Sequence, residues 1–155
     1  LHSPYAFFKS TIAKLIQGYG DWYGIDYNIC YFYNVYGPKT DTWDNEWQSV
    51  INIFKRQREE DKPLTITGDG TQRRDYTHVD DIVNGLVLAG DKICNKEFQL
   101  GTGQDYSVLE IAAAFDHPFE FIPARRGDRP KGLADIKSTK DILGYKPTYN
   151  IIDYI

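Results

Sequence analysis

The chain has no methionine, only two cysteines and three histidines, no excess of basic charge and no long apolar run. Each shortage closes a class of function. Cys30 and Cys94 lie far apart without C-x-x-C spacing, so neither a disulfide framework nor a thiolate metal site is expected. Both read as reduced, buried thiols. His2 and His117 have no partner at ligand spacing, and His78 reads as a structural residue on a strand, so no zinc site is expected. No stretch approaches the roughly 20 apolar residues of a membrane span. A net charge of −4 leaves no basic stripe to follow a nucleic-acid backbone. An anionic ligand must then be met by a few placed arginines rather than a general field. Leu1 to Tyr5 is not a signal peptide. Without Met and opening directly into a helix signal, it does not read as a natural start either. A cytoplasmic protein is expected.

What the chain does have is aromatic mass: 12 Tyr, 8 Phe and 3 Trp in 155 residues. That is enough for one globular domain with a real core and does not fit disorder. Trp22, Trp43 and Trp47 are expected to pack or to anchor loops. Ser3 caps and Pro4 opens a helix that runs to about Tyr23, with Phe8, Ile12, Leu15 or Ile16, Tyr19 and Trp22 or Tyr23 at helical spacing. Residues 26–33 read as a strand. A helix is expected over 47–60, then short strands over 64–67 and 74–78. Asp80 or Asp81 should cap a helix reaching Ala89. A strand follows over 97–100. Ser107 caps a helix over 108–115, with Glu110 at the capping-box position. Residues 119–122 form a strand, and Ser138 opens a short last helix that stops at Gly144. Gly68, Gly70, Gly101 and Gly103 are turn glycines, since neither pair precedes a long helix as a phosphate loop requires. The alternation of strands and helices argues α/β.

Tyr5 and Lys9, four apart on the first helix, share a face. An ammonium beside a phenol favours the ionised form, which suits a general acid–base near neutral pH. Such a spacing occurs on many helices by chance, and its neighbours give it weight. Ser3-Pro4-Tyr5-Ala6-Phe7-Phe8-Lys9 is followed by a helix and a strand ending Phe32-Tyr33-Asn34-Val35-Tyr36-Gly37-Pro38. Next come Gly68-Asp69-Gly70-Thr71-Gln72-Arg73-Arg74-Asp75-Tyr76-Thr77-His78-Val79-Asp80-Asp81 and Leu100-Gly101-Thr102-Gly103 with Tyr106-Ser107-Val108-Leu109-Glu110. Arg125-Arg126-Gly127-Asp128, Ala134-Asp135 and Leu143-Gly144-Tyr145 close the series. This order, spanning nearly the whole chain, resembles the extended short-chain dehydrogenases/reductases, and within them the NAD-dependent nucleotide-sugar epimerases of the UDP-glucose 4-epimerase type.

The resemblance implies the C-terminal part of a Rossmann-like doubly wound fold plus a small α/β substrate-binding domain. Residues 1–40 would end the NAD-binding domain. Residues 41–155 would be mainly substrate domain, with segments crossing back to the sheet. By the same resemblance Tyr5 exchanges a proton with the sugar 4-hydroxyl while NAD takes hydride from C4. Lys9 binds the cofactor ribose and assists Tyr5, and Phe32 and Tyr33 lie on the nicotinamide side. A UDP-sugar is the implied substrate, with Asn34, Ser49, Val50, Thr67, Arg74, Tyr76, Arg125 and Asp128 around it. Arg74 and Arg125 match diphosphate clamps, a task that suits the guanidinium fork. Asp128 matches an acceptor for the nucleoside ribose. A homodimer through the helix over 5–23 is implied as well.

The sequence departs from the family pattern in several places. The glycine-rich dinucleotide loop is absent, so this chain alone is expected to bind NAD poorly and to lack turnover. Its first helix and strand are expected to leave apolar surface exposed, with the missing part belonging to a longer protein or to another chain. Thr67 stands where a base-stacking Phe or Tyr is usual, and Tyr31 where Arg is frequent. The segment between Phe115 and Phe119 is shorter than in the family. Gly132 would leave room for an N-acetyl group. Sugar-nucleotide 4,6-dehydratases and UDP-glucuronate decarboxylases share the scaffold and are alternatives, as is a non-catalytic sugar-nucleotide binder.

Overall fold

The computed structural model describes residues 4–40, 48–124 and 130–155. Helix α1 (Pro4–Tyr23) opens the chain. The expected Ser3 cap lies outside the described residues. A 20-residue helix is about 30 Å long, yet α1 fully buries only Ala13. Phe8, Ile12, Leu15, Ile16, Tyr19, Trp22 and Tyr23 are all exposed. Trp22, expected to pack, is 70% exposed and stacks only near its own helix, against Tyr19 and over Gly18. The C-terminal half of α1 meets the rest of the chain through Gly20 and Gln17, among others. The ring of Tyr27 fills the space a Cβ on Gly20 would need, at 2.6 Å. Gln17 donates to Glu97, which also accepts from the Tyr31 hydroxyl at 3.1 Å.

Strand β1 (Asn28–Phe32) begins two residues later than its tyrosine- and isoleucine-rich composition predicts. It runs parallel to β6 (Lys96–Leu100). Asn28 ties the start of β1 to the segment that precedes β6: its amide donates to the carbonyls of Ala89 and Lys92 at 2.7 and 2.9 Å, and its oxygen accepts from the Cys94 amide at 3.2 Å. Cys30 and Cys94 are free but half-buried, not fully buried as expected, because they lie at the margin of the sheet packing. After Asn34, at φ +27°, β2 (Val35–Tyr36) pairs in parallel with β5 (Thr77–His78).

Helix α2 (Val50–Glu59) is capped by Ser49, whose Oγ accepts from the Asn52 amide at 3.3 Å. The expected earlier start, at Trp47, lies outside the described residues, as does Trp43. Strand β3 (Leu64–Thr67) has the expected bounds and runs parallel to β8 (Phe119–Ile122). The strand expected over 74–78 is divided at Tyr76 into β4 (Arg73–Asp75) and β5.

Helix α3 (Val79–Asp91) corrects one expectation. Its cap is His78, which is extended at φ −66°, ψ 143° and accepts from the Asp80 amide at 3.2 Å. Asp80 and Asp81 are already inside the first turn, where carboxylates favour the positive end of the helix. Asp81 is buried and accepts from the amides of Thr148 and Tyr149 at 3.0 and 3.2 Å, tying α3 to the C-terminal segment.

Strand β7 (Asp105–Ser107) leads into α4 (Val108–Ala114), whose capping box forms as expected. Strand β9 (Lys131–Gly132) was not foreseen, having only two residues. Helix α5 (Lys137–Leu143) starts before Ser138, which sits in its first turn, and Asp135 accepts from the Lys137 amide at 3.1 Å. Gly144, at φ +69°, ends it as expected. One more helical turn, α6 (Ile151–Tyr154), follows Asn150.

Two apolar cores result. One joins Tyr36, Phe54, Leu64, Ile66, Ile111 and Phe115 between α2, α4, β3 and α6. The other joins Ile82, Phe98, Leu100, Leu143 and Tyr145 between α3, β6 and α5. Asp75, fully buried at 0% exposure, lies at the junction. Its carboxylate accepts from the Thr102 amide and hydroxyl at 2.9 and 2.7 Å, the Gly103 amide at 2.9 Å and the Ala134 amide at 3.3 Å. A Cβ on Gly101 would collide with Ala134 and come within 2.8 Å of Asp75 Oδ2, so only glycine lets the turn approach.

A mixed three-stranded sheet, ordered β7-β4-β9, carries an ion network on one face. Arg73 Nε donates to Asp105 Oδ1 at 2.8 Å and Nη2 to the Asp105 carbonyl at 2.9 Å. Arg73 Nη1 pairs with Glu110 at 3.0 Å and Lys131 Nζ with Asp105 at 3.4 Å. Hydrogen bonding from Arg73, helped by Lys131, holds the Asp105 carboxyl below its ordinary range.

Replacing Asp75 by Ala leaves several buried donors unpaired and should cost about 3 kcal/mol or more, each orphan costing roughly 1–3 kcal/mol. Urea unfolding measures this, and a loss near zero would show the junction does not depend on the carboxylate. The depressed Asp105 carboxyl stabilises the fold above its unfolded value and loses that contribution as pH falls through its folded value. The stability advantage of the wild type over Asp105→Asn should therefore be full at neutral pH, start to fall only near the unfolded carboxylate value of about 4, and disappear once the pH is below the depressed folded value, as followed by thermal melts across pH.

Candidate functional site

In parallel sheets, ligands gather beyond the carboxyl ends of the strands. At that end of β1, Phe32 is 52% exposed and pairs in register with Leu100, the last residue of β6. The Tyr33 hydroxyl donates to Gln99 Oε1 at 2.6 Å, and the same oxygen accepts from the Asp135 amide at 2.8 Å. Tyr33 is thus braced from the neighbouring strand. Asn34 donates through its side-chain amide to the Asp75 carbonyl at 2.8 Å. The end of β1 and strand β4 are thereby brought together, and with them Asn34 and the Arg74-Asp75 pair.

On the β7-β4-β9 sheet the two arginines face opposite ways, because strand side chains alternate. Arg73 pairs with Lys131 in register, and Arg74 with Tyr106 on one side and Gly132 on the other. Gly132 has no side chain, and a Cβ there would sit 3.6 Å from Arg74 Cδ, an ordinary contact. Arg74 Nη1 donates to the Arg73 carbonyl at 2.8 Å, which fixes the fork close to its own strand. A half-buried guanidinium so held suits a bidentate grip on phosphate oxygens.

Tyr5 and Lys9 share the exposed face of α1, with Lys9 Nζ 5.7 Å from the Tyr5 ring centroid. Tyr5 is 70% exposed. Ser49 and Val50 stand at the start of α2, where the Ser49 oxygen is occupied by capping. Thr67 ends β3, and its carbonyl accepts from Gln72 at 3.0 Å. Tyr76 lies within the first core at 3% exposure, a packing position. Arg125 and Asp128 lie outside the described residues. Among the described residues no three His, Cys, Asp or Glu side chains gather as a metal site, and no helix is long and apolar enough to cross a membrane.

Arg73, Asp105 and Lys131 carry no residue-level signal of their own in the sequence. The doubled arginine in Arg73-Arg74-Asp75 was the available signal: on a strand, one member of such a pair must face away from the other.

A sequence profile described as the NAD dependent epimerase/dehydratase family matches residues 1–101. A UDP-glucose 4-epimerase of Mycolicibacterium smegmatis is 33% identical over 94% of this chain and 48% of its own length. The UDP-glucuronic acid decarboxylase 2 of Arabidopsis thaliana is 29% identical over 92% of this chain and 33% of its own. The crystal structure of a UDP-glucose 4-epimerase from Thermotoga maritima with UDP-glucose superposes with a TM-score of 0.90 at 30% identity, over 97% of this chain and 50% of that one. The chain thus spans about half the length of the epimerases it matches. The paired parallel strands, the helices packed on them and the matching profile establish the α/β architecture as part of a Rossmann-like fold, and the chain belongs to the NAD dependent epimerase/dehydratase family.

Proposed function

We propose that this chain forms the sugar-nucleotide-handling part of an NAD-dependent nucleotide-sugar 4-epimerase acting on a UDP-sugar. One observation carries the reading: Arg74 is held by its own strand beside the side-chain-free Gly132, next to the Asn34–Asp75 contact at the end of β1. In this reading the Arg74 fork grips the substrate diphosphate. The Asn34 amide has two N–H groups, one taken by Asp75, and the second is directed to the same diphosphate.

The residues present fit the cofactor. Tyr5 and Lys9 expose their polar heads on one face of α1, and Phe32 offers an exposed ring at the carboxyl end of β1. When bound, NAD supplies a hydride acceptor for the sugar C4. Lys9 holds the cofactor ribose by hydrogen bonding. Tyr5 accepts the proton of the sugar 4-hydroxyl and returns it to the same oxygen at the end of the cycle. Tyr33, braced by Gln99, backs the nicotinamide side. Dehydration or decarboxylation on the same scaffold remains the second reading, favoured by the likeness to a decarboxylase. Release of carbon dioxide or water from the sugar, rather than inversion at C4, would mark it.

The exposed stripe of α1, from Phe8 to Tyr23, is in this reading a homodimer contact. Free, half-buried thiols suit the reducing cytoplasm.

Calorimetric titration of the chain with UDP-glucose, UDP-GlcNAc and NAD, beside Arg74→Ala, tests the substrate assignment. Heat from a UDP-sugar that weakens about tenfold or more in the variant supports it, since a hydrogen bond to a charged group is worth roughly 1.5–3 kcal/mol. No heat from any UDP-sugar, in a chain shown folded by circular dichroism, overturns it. Sedimentation equilibrium tests the dimer: Ile12→Glu should shift wild-type dimers to monomers, and a monomeric wild type at high concentration removes the assignment.

A further inference from the structure

We infer that Asp105 is a positioning residue for Arg74, setting the grip on a nucleoside diphosphate from the opposite face of the sheet. The inference rests on the substrate reading above.

The sheet β7-β4-β9 is narrow and its outer strand is short. Strand β9 contributes only Lys131 and Gly132, in register with Arg73 and Arg74. Its backbone fastening includes the Arg73 amide donating to the Pro130 carbonyl at 2.9 Å. Two residues of parallel pairing are a weak basis for holding a strand in register. The side chains of one face supply the rest. Asp105 lies diagonally across from Arg73 on β7, since Arg73 pairs with Ser107. Its carboxylate accepts a hydrogen bond from Arg73 Nε of β4 and forms an ion pair with Lys131 Nζ of β9 at 3.4 Å. One acidic group on β7 therefore fixes both other strands. Its side chain is only 12% exposed, so solvent screens these contacts less than an ordinary surface pair.

The consequence appears on the other face. Arg74 lies between Tyr106 and Gly132, and its stem meets β9 where a Cβ would be 3.6 Å away. Arg74 Nη1 is held by the Arg73 carbonyl, so the backbone at Arg73 is part of the seat of the fork. Arg73 is in turn held through Nη2 to the Asp105 carbonyl and through Nη1 to Glu110 of α4. Fixing Arg73 and Lys131 from below thus fixes the floor on which Arg74 rests. An Arg74 with a prepared seat gives up less side-chain freedom on meeting a diphosphate.

A double-mutant cycle with UDP-glucose as titrant tests this, using wild type, Asp105→Asn, Arg74→Ala and the double variant, each checked for folding by circular dichroism. Asp105→Asn should weaken UDP-glucose about tenfold in the wild-type background and less than twofold in the Arg74→Ala background, a coupling of the size found for residues in one network. A merely structural role would weaken both backgrounds alike, and that result overturns the inference, as does unchanged affinity in Asp105→Asn. If Asp105→Asn fails to fold, Arg73→Lys, which keeps the charge and removes the fork, carries the same expectation and the same refutation. A folded wild type that binds no UDP-glucose defeats the substrate reading and this inference with it. Binding that depends on Arg74 but not on Asp105 defeats this inference alone.

Discussion

The carboxylate of Asp75 is the constraint on which the rest of the architecture leans. It is fully buried, and it collects donors from three separate places in the chain: its own strand's continuation, the turn after β6 and the segment entering α5. A buried acid surrounded by neutral donors is costly unless nearly every lone pair is used. That condition explains why the turn contains Gly101 and why Thr102 contributes both its amide and its hydroxyl. Tyr76, the next residue, belongs to one apolar core, and Leu100, just before the turn that Asp75 holds, to the other. The Asp75 carbonyl also receives the Asn34 side chain. The same residue therefore sets the spacing between the end of β1 and the strand that carries Arg74.

Strand β4 gives three successive residues three separate tasks: alternation sets Arg74 against Arg73 and Asp75, and burial separates the latter two. Arg73 turns to the ion network, Arg74 to the opposite face, and Asp75 back into the interior. No helix could divide neighbours this way, since adjacent positions on a helix are only about 100° apart. Helix α1 illustrates the opposite case. Its nine large exposed apolar residues are spread over much of its circumference, while its contacts with the rest of the chain include the packing of Tyr27 on Gly20 and one glutamine–glutamate contact.

Much of this was legible in the sequence. The bounds of β3 and β8, the Ser107–Glu110 capping box and the Gly144 stop all rest on local chemistry, and local chemistry is what sequence displays. The elements that escaped notice depend on distant partners. His78 caps α3 because the helix starts at Val79, directly after β5, and takes the acidic pair into its first turn. Strand β9 exists only because β4 is there to receive it, and α6 is a single turn stabilised by Asn150. For the site, Tyr5, Lys9, Asn34 and Arg74 stood out through their motifs. Asp105 did not, because its meaning comes from a diagonal neighbour across a sheet. Tyr76, singled out with the substrate residues by resemblance, sits inside a core.

Among the described residues no strand pairs with its neighbour in sequence: β1 joins β6, β2 joins β5, β3 joins β8, and β4 lies between β7 and β9. There is no hairpin from which sheet formation could spread. Each ladder closes a long loop before its first hydrogen bond is made, and loop closure is the slow, entropically opposed step in folding. Helices α1, α2 and α3 need no such closure, since their backbone hydrogen bonds run within each segment. During synthesis β1 would wait without its partner until β6 emerges. In the interval the unpaired strand edge is the part most open to wrong association.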